Sequence, residues 1–552
     1  MDYPPVPVGA ILAGSARRFA DRTAVHYYGR DLTFAQLHAR ASAFAQALRA
    51  AGIGRGDVVA LHLPNCPQYA IAYYGTLMAG ATFSPANPLL PPADLGAQLA
   101  DCGAVAAVTW ARAAPALAAV LEDTRIRLVL ATDREQALDP THPVAVAGAQ
   151  DFEAFHADAP QTPPDVEIDV HADLAHIAYT GGTTGRSKGV LLPHRNVVVN
   201  TLQSACWASG AVPELDGAGG LVLDQVEPPE ERPVRLGTGC AVTVTPWFHA
   251  MGTIGGMNVP VLRGDTLVLH DRFDPGAYLA DAERFRVTSL GGAPPLFAAL
   301  LRHPDFATRD LSSVRSITSG AAPMPVEMID GLRKRLGPEV VISEGYGLTE
   351  VTMVATQGPL ARSAVRKPGT VGPPVFDTEI RIVDPAVPEL VSLPDGEPGE
   401  VCIRGPQVMV GYKDRPEETA AALVDGWLRT GDIGALDEDG YLTIVDRKKD
   451  MLLYKGYNVY PRELEELLYA QPGVVGAAVV GRPDPVAGEL PVAFVVAPGF
   501  DRPQADALME AVNARVLPYK RLREVHLVDE IPVSAAGKVL KRALRDRLVQ
   551  AG

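Results

Sequence analysis

Along most of the chain, segments whose apolar residues recur near every 3.6 positions alternate with short, nearly continuous apolar runs. "TFAQLHARASAFAQALRAAG" is followed by "DVVALHLP", while "GAVAAVTW", "IRLVLAT", "DTLVLHD" and "RVTSLGG" are separated by helical stretches such as "PLFAALLRHP". The first period is that of a helix with one buried stripe and the second that of a buried strand, so the expected class is α/β, built in layers. With 552 residues, 47% of them hydrophobic, several cores can be buried. A prior of about 100 to 200 residues per domain then predicts three or more structural units.

Two places break the alternation. From Ala211 to Leu236, "AVPELDGAGGLVLDQVEPPEERPVRL", Pro, Gly and acidic residues crowd together without either period. A surface loop is expected there, a mobile insertion in the first instance and a lid or docking loop in the second. Further on, the charged cluster Asp446 to Asp450 separates two strand-like runs ahead of the helical "YPRELEELL", which predicts a domain junction. The residues beyond it, about a hundred, include "VVGAAVVG" and "PVAFVVAPG" as strands and suffice for a small α+β unit.

Composition excludes several classes of function. No run of about 18 uncharged apolar residues is present to span a bilayer. The start, "MDYPPVPVGAILAGSARRFADRT", places Arg17 and Arg18 after its apolar residues, the reverse of an export signal, so a cytoplasmic location is expected. Cys66, Cys102, Cys206, Cys240 and Cys402 are odd in number, far apart and never in a CxxC pair, which speaks against a disulfide framework or a zinc site. A net charge of −15 opposes general nucleic-acid binding, which depends on counterion release at a basic face. A local basic patch for a phosphorylated ligand stays open.

Directly after the apolar run "LAHIA" comes "YTGGTTGRSKGV", Tyr179 to Val190. Backbone amides reach phosphate oxygens only where no Cβ intervenes, so Gly181, Gly182, Gly185 and Gly189 would let this stretch wrap around phosphates. Thr180, Thr183 and Thr184 add hydroxyls and Lys188 a charge. A flexible Gly/Thr turn accounts for the composition equally well. A P-loop is ruled out, because Ser187 and Gly189 stand where that motif needs glycine and a hydroxyl, and the dinucleotide GxGxxG fails too.

Seven further stretches follow in order: "PWFHAMG" from Pro246, "SGAAPMP" from Ser319, "EGYGLTE" from Glu344, "WLRTGDIG" from Trp427, "VDRKKDM" from Val445, "YKGYNVYPRELE" from Tyr454 and "PVSAAGKVLKR" from Pro532. With the glycine-rich stretch, this series resembles the adenylate-forming (AMP-binding) superfamily, from about Thr23 to Arg545, and within it most resembles bacterial long-chain fatty-acyl-CoA synthetases. The resemblance implies a large, multi-subdomain N-terminal adenylation domain over residues 1–447, which binds ATP and the acyl group. A small mobile α+β C-terminal domain, 448–552, carries the catalytic lysine. It also implies the chemistry: a carboxylate attacks the α-phosphorus of ATP, pyrophosphate leaves, and the acyl-adenylate then loses AMP to the thiol of coenzyme A.

Residue by residue, the resemblance makes Lys538 the catalytic lysine and Glu350 the Mg²⁺-holding carboxylate, with Thr349 donating to the α-phosphate. The ATP and AMP contacts it implies are Thr180, Gly181, Gly182, Thr183, Thr184, Gly185 and Lys188 in the loop, then Gly320, Ala321 and Ala322. Glu344, Gly345, Tyr346 and Gly347 follow, with Tyr346 stacking on adenine, and Asp432 and Arg447 at the ribose. His249 and Gly292 would line the acyl site, Lys449 would be the hinge of a rotating C-terminal domain, and Gly456 would let the pantetheine arm approach. Each has a plainer reading taken singly: Thr349–Glu350 as a helix start, Asp432 as a turn former, Lys538 as a solvated lysine beside Lys541 and Arg542.

Ser187 and Gly181 stand where many relatives have proline and serine, a departure shared with the long-chain fatty-acid branch. The expected activity is a Mg-ATP-dependent ligase of a medium- or long-chain fatty acid with coenzyme A. Left open are an aryl, coumarate-like acid, transfer to a carrier protein's phosphopantetheine, and a non-catalytic nucleotide-binding protein. A fatty substrate also leaves peripheral contact with a membrane open.

Overall fold

The apolar runs Val58–His62, Ala104–Trp110 and Leu128–Thr132 pair in parallel. Thr82–Pro85, Leu174–Tyr179 and Gln150–Asp151 extend them within an eight-stranded sheet. The structure is a computed structural model that describes residues 1–180, 187–455, 457–534 and 539–550. One edge of the sheet turns antiparallel: Gly189–Pro193 runs back along Leu174–Tyr179, and the short strand Gly411–Tyr412 pairs outside it.

Helix Phe34–Ala50 begins at a capping box in which Thr33 and Gln36 exchange side-chain and backbone hydrogen bonds. It packs on helix Pro67–Met78, every residue of which is buried. That complete burial explains why "PQYAIAYYGTLM" has no polar face. Two of its tyrosines are spent on a buried relay. Tyr74 donates to Asn258 Oδ1 at 2.8 Å, the Asn258 amide donates to the Tyr73 oxygen at 2.8 Å, and Tyr73 lies 2.9 Å from His176 Nε2. Burial lowers the His176 pKa to about 3, so the ring is neutral and accepts the tyrosine proton. The relay fixes helix Met251–Asn258, which is wound as a π-helix, against the central sheet.

A second sheet sets Ser289–Gly292, Ser316–Ser319 and Val341–Tyr346 in parallel, with Thr356–Gln357 antiparallel to the last. A third joins Cys240–Thr243, Thr266–Leu269, Thr23–Tyr27 and Arg30–Thr33. Glu379–Val383, Gly399–Arg404, Trp427–Leu436 and Leu442–Arg447 form an antiparallel sheet that ends the large N-terminal domain. The small C-terminal domain has its own sheet, containing Leu452–Tyr454, Gly476–Asp484, Gly488–Val496 and Glu524–Leu527. Helices Pro461–Tyr469 and Arg502–Asn513 accompany it, around a core of Leu464, Val479, Val495 and Leu508. The α/β class and the large-plus-small division are thus as expected.

Charged contacts cluster at the expected junction. Asp446 accepts the Arg462 backbone N–H at 3.0 Å, Arg545 pairs with Asp450 at 2.8 Å, and Lys541 pairs with Glu465 at 2.9 Å.

The expected loop at Ala211–Leu236 is not one throughout: Ala211–Leu215 and Leu221–Gln225 form an antiparallel hairpin. Its turn is held by Asp216, whose carboxylate accepts the N–H groups of Ala218 and Gly220 at 3.0 and 2.8 Å and pairs with Arg17 at 2.7 Å. Leu221 and Leu223 are buried, and the hairpin lies so close to helix Gly9–Arg18 that a Cβ on Gly14 would sit 2.0 Å from the Leu221 carbonyl oxygen. Proline and acidic residues on the exposed positions hid the strand period; tertiary packing against a helix two hundred residues earlier supplies the partner.

Candidate functional site

Strand Val341–Tyr346 brings the "EGYGLTE" residues to the end of the second sheet. Glu344 is buried, with its pKa raised by desolvation, and its Oε1 accepts the Met324 N–H at 2.8 Å. It therefore anchors the segment that carries Gly320, Ala321 and Ala322. Ala321 has φ +67°, a left-handed conformation that a side-chain-bearing residue adopts at a cost. Gly347 is obligatory for a different reason: a Cβ there would lie 1.7 Å from the Met353 carbonyl oxygen.

Tyr346 donates to Asp432 Oδ2 at 2.6 Å, across 86 residues of sequence. The antiparallel register of Trp427–Leu436 with Leu442–Arg447 sets Asp432 opposite Arg447, whose Nε is 3.6 Å from Asp432 Oδ1. The Tyr346 phenol is pushed well above its ordinary pKa by burial and then by the Asp432 charge, so it stays a donor. Three expected residues thus meet in one corner. Lys449 is exposed nearby, its ammonium pKa lowered by partial desolvation first and by the Arg447 charge second.

A second group forms around Thr349 and Glu350, which open a short 3₁₀ turn, Thr349–Val351. Glu350 Oε1 accepts the Tyr412 hydroxyl at 2.9 Å, and the Met409 N–H reaches the Glu350 carbonyl at 2.8 Å. Glu350 has no ion-pair partner among the described residues. A single half-exposed carboxylate beside a threonine hydroxyl fits Mg²⁺, which takes one or two carboxylates from a protein and the rest of its octahedron from phosphate and water. Lys188 sits at the end of the glycine-rich stretch with its Nζ 4.6 Å from the centre of the Tyr412 ring. The base of that stretch is clasped by the Thr180 N–H to the Lys188 carbonyl at 3.2 Å and by the Ser187 hydroxyl to the Thr180 carbonyl.

A cavity of about 220 Å³ is lined by one residue of each group, Tyr346 and Thr349. Its lining includes Gly320, Ala321, Gly345, Gly347, His249, Met251, Gly291 and Gly292, together with the apolar Ala208, Val234, Val259 and Leu360. Its π-helical wall includes Gly255 and Gly256. Of the expected residues, Thr180, Lys188, Ala322, Glu344, Glu350, Asp432, Arg447 and Lys449 do not line this cavity. Gly181, Gly182, Thr183, Thr184, Gly185, Gly456 and Lys538 lie outside the described residues. Sequence reasoning missed Tyr412 and the π-helix; the glycines of "MGTIGGMN" were the one available signal for the latter.

Comparison with known proteins identifies the family. Residues 12–413 match the AMP-binding enzyme family and residues 463–538 the AMP-binding enzyme C-terminal domain. The chain is 35% identical to a long-chain-fatty-acid–CoA ligase of Bacillus subtilis (strain 168), covering 97% of this chain and 93% of that protein. It is 37% identical to 4-coumarate–CoA ligase 2 of Oryza sativa subsp. japonica, over 94% and 88%. Among solved structures, ATP-bound MatB from Rhodopseudomonas palustris superposes with a TM-score of 0.83 at 28% identity, over 98% of this chain and 99% of that one. A chain whose two parts match both family models, and which is 35–37% identical to acid–CoA ligases over nearly its whole length, belongs to the AMP-binding enzyme family, in the acid–CoA ligase superfamily.

Proposed function

We propose that the protein is an AMP-forming acyl-CoA ligase that activates a medium- or long-chain fatty acid with ATP and transfers it to coenzyme A. The observation that carries this reading is the continuity of the cavity: Tyr346, Gly347 and Thr349 share it with Val234, Val259 and Leu360, so a nucleotide corner opens onto an apolar recess. A carboxylate seated between them has its reactive oxygen toward the nucleotide and its chain among apolar walls.

In the first half-reaction a carboxylate oxygen bonds to the α-phosphorus as the bond to pyrophosphate breaks. Negative charge spreads over the phosphoryl oxygens in the transition state, so fixed cations and donors around them lower the barrier. Lys188, the Thr349 hydroxyl and Lys538 take that role in this reading, while Tyr346, Asp432 and Arg447 hold the nucleoside. Glu350 would hold Mg²⁺, which when bound neutralises phosphate charge. In the second half-reaction the coenzyme A sulfur bonds to the acyl carbon, its proton leaves, and AMP departs. We take residues 448–552 to rotate about Lys449 between the two steps, bringing Gly456 toward the pantetheine.

A second reading, an aryl acid, is favoured by the comparable identity to a coumarate ligase and by the hydroxyls of Ser204, Ser289, Ser316 and Thr318 along the cavity, which suit a phenolic ring. The test is incubation with ATP, Mg²⁺, coenzyme A and a panel of fatty and aryl acids, with pyrophosphate release and mass spectrometry of the thioesters as readouts. Fatty thioesters support the first reading and aryl thioesters the second. Absence of pyrophosphate with every acid refutes both, and thioester formed only on a carrier protein replaces coenzyme A as acceptor.

A further inference from the structure

Tyr412 lies in a two-residue edge strand that nothing in the motif series singles out, yet it touches both charged groups of the proposed phosphate end. Its register opposite Val190 places it beside the end of the glycine-rich stretch. From there the ring lies under the Lys188 ammonium, 4.6 Å from centroid to Nζ, while the hydroxyl donates to Glu350 Oε1 at 2.9 Å. The strand itself is pinned from the Glu350 side. The Met409 N–H bonds to the Glu350 carbonyl at 2.8 Å, Thr352 Oγ1 to the Gln407 carbonyl at 2.8 Å, and the Asn196 amide to the Val408 carbonyl at 2.6 Å.

We propose that Tyr412 is a positioning residue that keeps Lys188 and Glu350 from neutralising each other, offering the cation its ring face and the carboxylate its hydroxyl, so that both meet the nucleotide and its metal unspent. The physical problem is general: a lysine and a carboxylate that must share one triphosphate attract each other before it arrives, and a closed ion pair would have to be broken on binding. An aromatic ring satisfies both without bringing them together, because its face attracts a cation and its phenolic edge donates to an anion. Among the described residues no Lys188–Glu350 ion pair is formed.

This rests on the reading that Lys188 and Glu350 serve ATP, and two variants of the full-length protein test it. Tyr412→Phe keeps the ring and deletes the hydroxyl; Tyr412→Leu deletes both. Mg²⁺ is titrated against the melting temperature at fixed non-hydrolysable ATP analogue, alongside KM for ATP and for the acid in pyrophosphate release. For Tyr412→Phe we expect a melting temperature without nucleotide equal to the wild type, a half-saturating Mg²⁺ concentration about tenfold higher, and an unchanged acid KM, as befits loss of one hydrogen bond to a charge. For Tyr412→Leu the ATP KM should rise further, by roughly fivefold. A Tyr412→Phe protein with the wild-type Mg²⁺ requirement, or one whose defect is confined to its nucleotide-free melting temperature, overturns the proposal, as does a Tyr412→Leu protein no worse than Tyr412→Phe. If the wild type neither gains stability from Mg²⁺ and the analogue nor releases pyrophosphate, the functional reading falls and takes this with it. If it does both and the variants match it, the tyrosine's role alone is refuted.

Discussion

Replacing Gly291 by valine turns the proposed acyl recess into a measurable length. Gly291 lines the cavity at the end of strand Ser289–Gly292, its φ is not in the left-handed region, and a Cβ built on it meets no atom within 4 Å. A Cβ there meets nothing and the backbone is not left-handed, and valine favours the strand more than glycine does, so the melting temperature should hold or rise. The three added carbons occupy room an acyl chain would otherwise fill. At about 0.8 kcal/mol per methylene, displacing three costs the longest accepted acid about 2.4 kcal/mol, or roughly fiftyfold in kcat/KM. An acid about three carbons shorter should be nearly unaffected. The assay is kcat/KM for thioester formation across a homologous series of straight-chain acids, wild type against Gly291→Val. A preference that moves to shorter chains supports the recess as the acyl site. Equal loss for every chain length, or no change for any, would refute the placement of the acid in this cavity.

Three more outcomes are expected. Asp432→Asn removes the ion pair to Arg447 and the charge-assisted hydrogen bond from Tyr346. It should raise KM for ATP and Kd for AMP by about tenfold or more, with the acid KM unmoved, as calorimetry and steady-state kinetics would show. Lys538→Ala should abolish adenylate formation from acid and ATP yet leave conversion of a supplied acyl-adenylate to thioester largely intact; equal loss of both steps would contradict the division of labour. Stability should fall on acidification, because burial depresses His62 and His194 to about 4 and His176 to about 3. These rings are neutral when folded and protonate near pH 6.5 once unfolded. Their contribution is full above pH 6.5 and declines as pH falls toward their folded values, by about 1.4 kcal/mol per pH unit for each. Melting scans between pH 7 and 5 check this, and a flat profile contradicts it.

Local signals carried far in this chain because most of the residues proposed for the chemistry sit in short contiguous motifs. The helix Phe34–Ala50 follows from its period and its Thr33–Gln36 cap, and the strands Ala104–Trp110 and Leu128–Thr132 from their apolar runs. The wholly buried helix Pro67–Met78 gives no such period, since burial on every side removes the polar face on which amphipathic reading depends.

By itself the sequence determined the α/β class, because secondary-structure periods are properties of neighbouring residues, and the order of the motifs, through which its resemblance to the acid–CoA ligases is legible. Tertiary structure alone decided which distant groups meet: Tyr346 with Asp432, Tyr412 with Glu350 and Lys188, and the hairpin Ala211–Gln225 with helix Gly9–Arg18. Those contacts depend on sheet register and on the matching of buried surfaces across scores to hundreds of residues, which no local period encodes.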